Sequence, residues 1–413
     1  MQMTELQFRL IKENLKLLTS KPCFYKDKLD GIDIASVQSQ EDFETLPFTW
    51  KGDLREAYPL GLQAVPDEEI VRIHSSSGTT GTPIIIPYTQ KDVDDWAKMF
   101  ARCYEMAGVT ALDRIHITPG YGLWTAGIGF QLGAEWLGAM AIPMGPGNTD
   151  KQLRMMRDMK STVLCATSSY ALLLAEEIAK RDMTDKIYLK KGVIGSERWG
   201  EKMRKRIADE LGVQLYDIYG LTEVYGPGIA MSCDCECGMH YWDDYVYFEI
   251  VDPKTGKNVP DGEIGELVIT TLRKQGAPLI RYRTHDLTRI IPGDCKCGFG
   301  HRHPRIDTLT GRTDDMFKVK GCNIFPAQVE EVIAATDGTS SEYQVMIENI
   351  SGKDVLTVLF ETPLQDEAKA RAEEELALIF KAKCGCTPDA KGVPMGELPR
   401  SEKKTKRIFD SRY

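Results

Sequence analysis

Ser75, Ser76, Ser77, Gly78, Thr79, Thr80 and Gly81 crowd hydroxyls and glycines into one stretch between two apolar runs. Such a loop can hold phosphate, because glycines let backbone N–H groups approach an anion and hydroxyls add donors without a permanent charge. No Lys-Ser or Lys-Thr pair follows Gly81, so the Walker pattern is absent, and the spacing fits neither the kinase nor the dinucleotide glycine fingerprint. The same composition also makes plain turns. A second signal lies in the cysteines. Cys233, Cys235 and Cys237 are followed by His240, while Cys295 and Cys297 form a Cys-Lys-Cys-Gly turn. A thiolate knuckle closed by a second Cys/His pair suits a tetrahedral structural zinc, with reduced surface thiols as the plain alternative.

Further along stand Tyr219-Gly220-Leu221-Thr222-Glu223, Tyr282-Arg283-Thr284-His285-Asp286, Gly311-Arg312-Thr313-Asp314-Asp315 and Leu398-Pro399-Arg400-Ser401-Glu402-Lys403-Lys404. Together with the Ser/Thr/Gly loop they resemble the acyl-adenylate-forming enzymes. Tyr121-Gly122-Leu123-Trp124-Thr125, Pro146-Gly147-Asn148-Thr149, Gly226-Pro227-Gly228 and Gly321-Cys322-Asn323-Ile324-Phe325-Pro326 are similar to the phenylacetate–coenzyme A ligase branch of the AMP-forming acyl-CoA synthetases. The resemblance implies an acid–thiol ligase that joins an aromatic carboxylic acid to ATP as an acyl-adenylate and passes the acyl group to coenzyme A. Activation has a weak nucleophile attack the α-phosphorus while pyrophosphate leaves, so catalysis is mostly alignment and charge neutralisation.

In that frame Ser75 to Gly81 hold the β- and γ-phosphates, Thr222 the α-phosphate and Glu223 a Mg²⁺ ion; out of context, Thr222-Glu223 is an ordinary helix-start pair. Asp286 accepts from the ribose hydroxyls, as an ionised carboxylate does well, and Arg312 suits ribose or phosphate. Ser196, Glu197 and Arg198, with Asp217, Ile218, Tyr219 and Gly220, match the adenine pocket, Tyr219 as stacking partner, although an aromatic at a strand end is more often core. Tyr121, Gly122, Trp124, Ala166, Tyr219, Gly220, Pro227 and Gly228 line the acid pocket, where small residues beside aromatics suit a flat ring. Lys404 bridges acyl carboxylate and α-phosphate. The resemblance also selects Cys233, His240, Cys295 and Cys297 as zinc ligands, with Cys235 and Cys237 as alternates. Three departures stand out. Lys403 occupies the family's glycine position and rivals Lys404, Thr82 replaces a lysine frequent in relatives, and His285 precedes Asp286.

The elements that must position these residues read as α/β. Leu6, Leu10 and Leu17 describe an amphipathic opening helix, and Val93, Trp96, Ala97, Phe100 and Tyr104 repeat at helical spacing after a Thr89 cap. Apolar runs at 115–118, 139–142, 163–166, 192–195 and 214–218 alternate with helical stretches, as in parallel layering. The phosphate loop joins runs too close for a crossover helix, so a hairpin is expected. Strands are expected at 245–251, 263–270 and 286–291, with Asp286 just after a strand. The expected architecture is a large N-terminal domain, residues 1–313, with α/β-layered sheets and a β-rich subdomain, and a mobile α+β C-terminal lid, residues 314–413, hinged at Asp314.

Composition bounds the partners. The chain has 413 residues, 42% hydrophobic, and a formal charge of −9, which disfavours nucleic acid, whose backbone needs clustered Lys and Arg. No run suits a membrane span or a signal-peptide core, and eleven cysteines, an odd number, argue against a disulfide framework, so a cytoplasmic protein is expected. A homodimer is compatible with this reading. Two rivals stay open: an adenylating enzyme that serves a carrier-protein thiol or stops at the nucleotidylated product, and a non-catalytic nucleotide- and zinc-binding interaction protein.

Overall fold

The computed structural model describes residues 2–76, 82–197, 199–298, 303–350, 353–401 and 405–412. They form two compact units: residues 1–145, 161–165 and 216–309, and residues 146–160, 166–215 and 310–413. The second therefore takes in stretches well before the expected boundary at 314, and its last segment starts at Thr310.

In the first unit, Ile70–Ser75 and Ile85–Thr89 pair antiparallel as the expected hairpin, His74 opposite Ile86. Helix Gln90–Met106 starts at Thr89, whose hydroxyl accepts from the Asp92 amide while the Asp92 carboxylate accepts from the Thr89 amide. That carboxylate, fully buried, also accepts from the amides of Gln275 and Gly276, at 2.7 and 2.8 Å, so the cap ties the helix to a distant loop. The helix buries the predicted stripe of Val93, Trp96, Ala97, Phe100 and Tyr104.

Strand Arg114–Ile117 pairs parallel with Met140–Pro143 and with the start of Val163–Thr167, as the layering predicts. Beyond residue 216 the pattern turns antiparallel: Gln214–Leu221 meets Gly226–Ser232, which meets Met239–Tyr241. A separate antiparallel ladder joins Val246–Val251, Gly265–Thr271 and Tyr282–Thr288. Here one expectation is corrected. Asp286 lies inside a strand, and Ile290–Ile291 belongs to another ladder, beside Arg305–Ile306. Buried pairs of Arg281 with Glu249 and of Arg283 with Glu266 hold the segment before Asp286 in register. The opening helix, Glu5–Ser20, is also rotated relative to expectation: it buries Ile11, Leu15 and Leu18, and leaves Leu6 exposed.

The second unit contains helices Ser168–Lys180 and Glu201–Leu211, strand Lys191–Gly195 and the small α+β segment at the C-terminus. There Tyr343–Ile350 and Lys353–Glu361 pair antiparallel, flanked in parallel by Ile408–Asp410 and Asp389–Val393. Helices Pro326–Ala335 and Asp366–Cys384 supply Val329, Val332, Leu376 and Phe380 to a core with Val345 and Val358. Cys384 and Cys386 are buried in that core.

Glycines set how closely the first unit packs. A Cβ at Gly228, whose φ is +99°, would stand 2.7 Å from the Phe100 ring, and one at Gly226, φ +110°, would stand 2.6 Å from Trp96. Gly228→Ala adds a clash to a disfavoured backbone and should cost about 2–4 kcal/mol. A thermal midpoint equal to that of the parent chain would contradict this packing.

Candidate functional site

The root of the Ser/Thr/Gly loop is fixed by one acceptor. The Leu123 carbonyl takes the His74 Nδ1–H at 3.1 Å and the Ser75 amide at 2.8 Å, so the loop carrying Tyr121, Gly122 and Trp124 is tied to the start of the Ser/Thr/Gly loop. His74 lies edge-on to Tyr88 and Trp96, and burial holds its imidazole down to about 4. Ser76 continues the hairpin, its hydroxyl accepting from the Ile84 amide at 3.1 Å. Ser77, Gly78, Thr79, Thr80 and Gly81 lie outside the described residues, as do Arg198, Lys403 and Lys404.

Strand Gln214–Leu221 ends in the turn that carries Thr222 and Glu223, so this pair does not open a helix. Thr222 shares a hydroxyl contact with Thr125 at 3.2 Å. Glu223 is buried, its Oε1 lacks a hydrogen-bond partner among the described residues, and the Lys51 ammonium stands 3.2 Å away. Tyr219 donates its hydroxyl to Asp286 Oδ2 at 2.6 Å, a short charge-assisted bond that joins two expected nucleotide residues from separate ladders. Asp217 and Ile218 precede Tyr219 on the same strand, the Asp217 amide donating to the Ser232 hydroxyl at 2.8 Å. Gly220 has no room for a side chain, since a Cβ would lie 1.9 Å from the Gly226 carbonyl oxygen. Pro227 and Gly228 sit on a wholly buried strand, where their carbonyls accept from the indoles of Trp96 and Trp242.

Ser196, Glu197, Ala166 and Arg312 belong to the second unit. Glu197 uses both carboxylate oxygens there: one accepts from the Ser169 amide at 2.8 Å and the other from the Thr405 amide at 3.0 Å. Arg312 pairs bidentately with Asp314 at 2.8 and 3.1 Å. The basic tail is anchored rather than solvated: Arg400 reaches Glu176 and Glu361, each at 2.8 Å, and Arg407 reaches Glu342 at 3.1 Å.

A distinct cluster gathers cysteines. The ligand atoms of Cys233, His240, Cys295 and Cys297, all buried, lie within 4.8 Å of one another. Cys297 Sγ is 3.2 Å from His240 Nε2, and the Cys233 and Cys295 sulfurs are 3.7 Å apart. His240 Nδ1 lies 2.9 Å from the His303 carbonyl, which fixes the tautomer and turns the Nε2 lone pair toward the thiols. Arg305 pins the two knuckles by donating to the carbonyls of Cys237 and Gly293 at 2.9 and 3.0 Å. Cys237 Sγ also approaches Cys295, at 3.0 Å, whereas Cys235 is exposed. This donor set fits a tetrahedral zinc site.

Two cations carried no motif signal. One is Lys51. The other is Lys274, which is 1% exposed, has no hydrogen-bond partner among the described residues, and lies 3.7 Å from the Tyr88 ring centroid and 4.4 Å from that of Tyr225.

Fold and site together define an adenylate-forming enzyme. The family described as AMP-binding enzyme matches residues 10–272, and the AMP-binding enzyme C-terminal domain matches residues 321–412. The phenylacetate-coenzyme A ligase of Escherichia coli strain K12 is 41% identical, covering 100% of this chain and 95% of that protein. The one from Pseudomonas putida is also 41% identical, over 90% and 85%. The crystal structure of 2-hydroxyisobutyryl-CoA ligase in the postadenylation state with R3-HIB-AMP superposes with a TM-score of 0.86 at 26% identity, covering 98% of this chain and 89% of the other. The same ligase in the thioesterification state gives 0.72, at 27% identity over 98% and 89%. The chain belongs to the phenylacetate–coenzyme A ligase branch of the AMP-forming acid–thiol ligases. It activates a carboxylic acid with ATP and passes the acyl group to coenzyme A through an acyl-adenylate.

Lys274 makes the stability of this enzyme depend on pH. Burial lowers its ammonium from 10.5 to about 7, against the raising field of Asp92, while the two aromatic faces favour the charged form. The unfolded chain keeps this proton up to about 10.5 and the folded chain releases it near 7, so stability rises with pH across that window, by up to about 1.4 kcal/mol per unit. Lys274→Met should remove that slope. Equal slopes of urea stability between pH 7 and 9 in parent and variant would refute it.

Proposed function

We propose that this ligase acts on an aryl or arylacetic acid, with phenylacetate as the reference substrate. The observation that carries the reading is the shared Leu123 carbonyl, which holds the loop of Tyr121, Gly122 and Trp124 and the root of the phosphate loop as one piece. Aligning a carboxylate with the α-phosphorus requires such a joint frame, because misplacement by about 1 Å can cost a hundredfold in rate. Tyr121 and Trp124 beside Gly122 offer flat apolar surface, and none of these residues carries a charge suited to a second carboxylate.

In this reading Ser75 to Gly81 cradle the β- and γ-phosphates, Thr222 donates to the α-phosphate, and Asp286, oriented by Tyr219, accepts from the ribose. Glu223 would hold magnesium; its buried Oε1, which accepts no hydrogen bond among the described residues and lies beside the Lys51 ammonium, fits a cation. Magnesium, when bound, offsets the charge of the departing pyrophosphate. Residues 314–413 act as the lid, turning about Asp314, and Lys404 meets the carboxylate and α-phosphate in adenylation alone. None of the eleven cysteines is disulfide-bonded, which supports a cytoplasmic setting.

Phenylacetate-dependent pyrophosphate exchange, with and without coenzyme A, tests the whole reading. Lys404→Ala should lower adenylation by about two to three orders of magnitude, as expected on removing a transition-state donor, and leave transfer from supplied phenylacetyl-adenylate to coenzyme A nearly intact. Lys403→Ala should spare both steps. Exchanged behaviour of the two variants would move the assignment by one residue, and loss of both steps in either would refute the lid role.

Zinc at Cys233, His240, Cys295 and Cys297 would cross-link the two knuckles. Protein purified without chelator should carry about one zinc per chain, and stripping it should lower the thermal midpoint. Less than half an equivalent by elemental analysis would eliminate the site.

A further inference from the structure

Lys51 faces the one buried carboxylate at the Thr222 turn. Glu223 is 4% exposed, and a carboxylate so placed is costly unless a cation compensates it. The Lys51 ammonium, 3.2 Å from Oε1, is the cation paired with it among the described residues, yet Oε1 receives no hydrogen bond, so this is an ion pair held loosely. The two partners differ in freedom. Glu223 is fixed in a buried turn, whereas the Lys51 side chain is 36% exposed, at the end of a flexible four-carbon stem.

The backbone beneath Lys51 is not free. Thr49 donates its amide to the Arg281 carbonyl and accepts from the Arg283 amide, both at 2.9 Å, and its hydroxyl donates to the Ile280 carbonyl at 2.6 Å. Trp50 lies under the Arg283 guanidinium at 4.4 Å and 6.1 Å from the His285 ring. The strand that carries Asp286 thus also fixes where Lys51 starts. Residues 75–82, moreover, contain no cation. A triphosphate bound there needs positive charge from elsewhere.

We propose that Lys51 is a resident cation of the phosphate site, pairing with Glu223 in the empty enzyme and with a phosphate oxygen of ATP once a divalent ion takes Glu223. The proposal rests on the magnesium role given to Glu223. It requires opposite effects on two ligands: Lys51 competes with the metal for Glu223 but assists the nucleotide.

The probe is Mn²⁺, read by electron paramagnetic resonance in the absence of nucleotide, together with calorimetric titration of ATP at saturating Mg²⁺. Lys51→Met should bind Mn²⁺ about three- to tenfold more tightly and ATP about tenfold more weakly, the scale of a lost charge-assisted contact. Lys51→Gln should shift both in the same senses, and Lys51→Arg should restore ATP binding. Parallel weakening of both ligands, or no change in either, overturns the proposal. Mn²⁺ binding that Glu223→Gln leaves unaltered overturns the Glu223 role and this inference with it. A Glu223-dependent site that Lys51→Met fails to tighten overturns the Lys51 role alone.

Discussion

Much of this enzyme depends on one carbonyl oxygen. Leu123 accepts from His74 and from the Ser75 amide, and through those bonds two loops distant in sequence become one frame. The imidazole can hold this post because it is walled by Tyr88 and Trp96, and burial keeps it neutral near physiological pH. A charged ring there would be desolvated and would face the positive charges of Arg72 and Lys274. Held near 4, the ring does not change protonation around pH 7, so the contact is the same on either side of neutrality.

A second layer of order comes from buried ion pairs. Arg281 with Glu249 and Arg283 with Glu266 flank the approach to Asp286, and each guanidinium also donates to backbone carbonyls, Arg281 to Leu46 and Arg283 to Pro253. Burial pushes Glu249 upward in pKa while the facing Arg281 pulls it down. Such pairs add little net stability when desolvation is counted, but removing one partner leaves an unpaired buried charge. Their effect is geometric: they prevent the strand from slipping and so keep Asp286 under the Tyr219 hydroxyl.

The sequence made the local chemistry legible where composition and order coincide. The Thr89 cap, the Val93 to Tyr104 stripe, the hairpin around the Ser/Thr/Gly loop and the four-residue Cys/His cluster could each be read from spacing or from family resemblance. Other features depend on partners far away in sequence. That the strand runs through Asp286 depends on the Arg281 and Arg283 pairs, which need Glu249 and Glu266, and no local pattern announces those partners. The buried face of the opening helix is ambiguous for a similar reason, since leucines at 6, 10 and 17 and apolar residues at 11, 15 and 18 fit a helical period equally well. Lys51 and Lys274 carry no signal in the sequence because a lone lysine there looks like any surface lysine; only burial and neighbouring carboxylates or rings distinguish it.

The glycine seam of Gly226 and Gly228 against Trp96 and Phe100 has a consequence for how this enzyme can diversify. The strand following the Thr222 turn is clamped on its inner side, with carbonyls committed to the indoles of Trp96 and Trp242. Drift toward new acids is therefore channelled. Changes along Gly226 to Gly228 are taxed by folding before they can alter selectivity, whereas the exposed Tyr121 can exchange its side chain while Leu123 keeps the backbone in place. Rigid on one wall and permissive on the other, the fold biases which descendants are accessible from it.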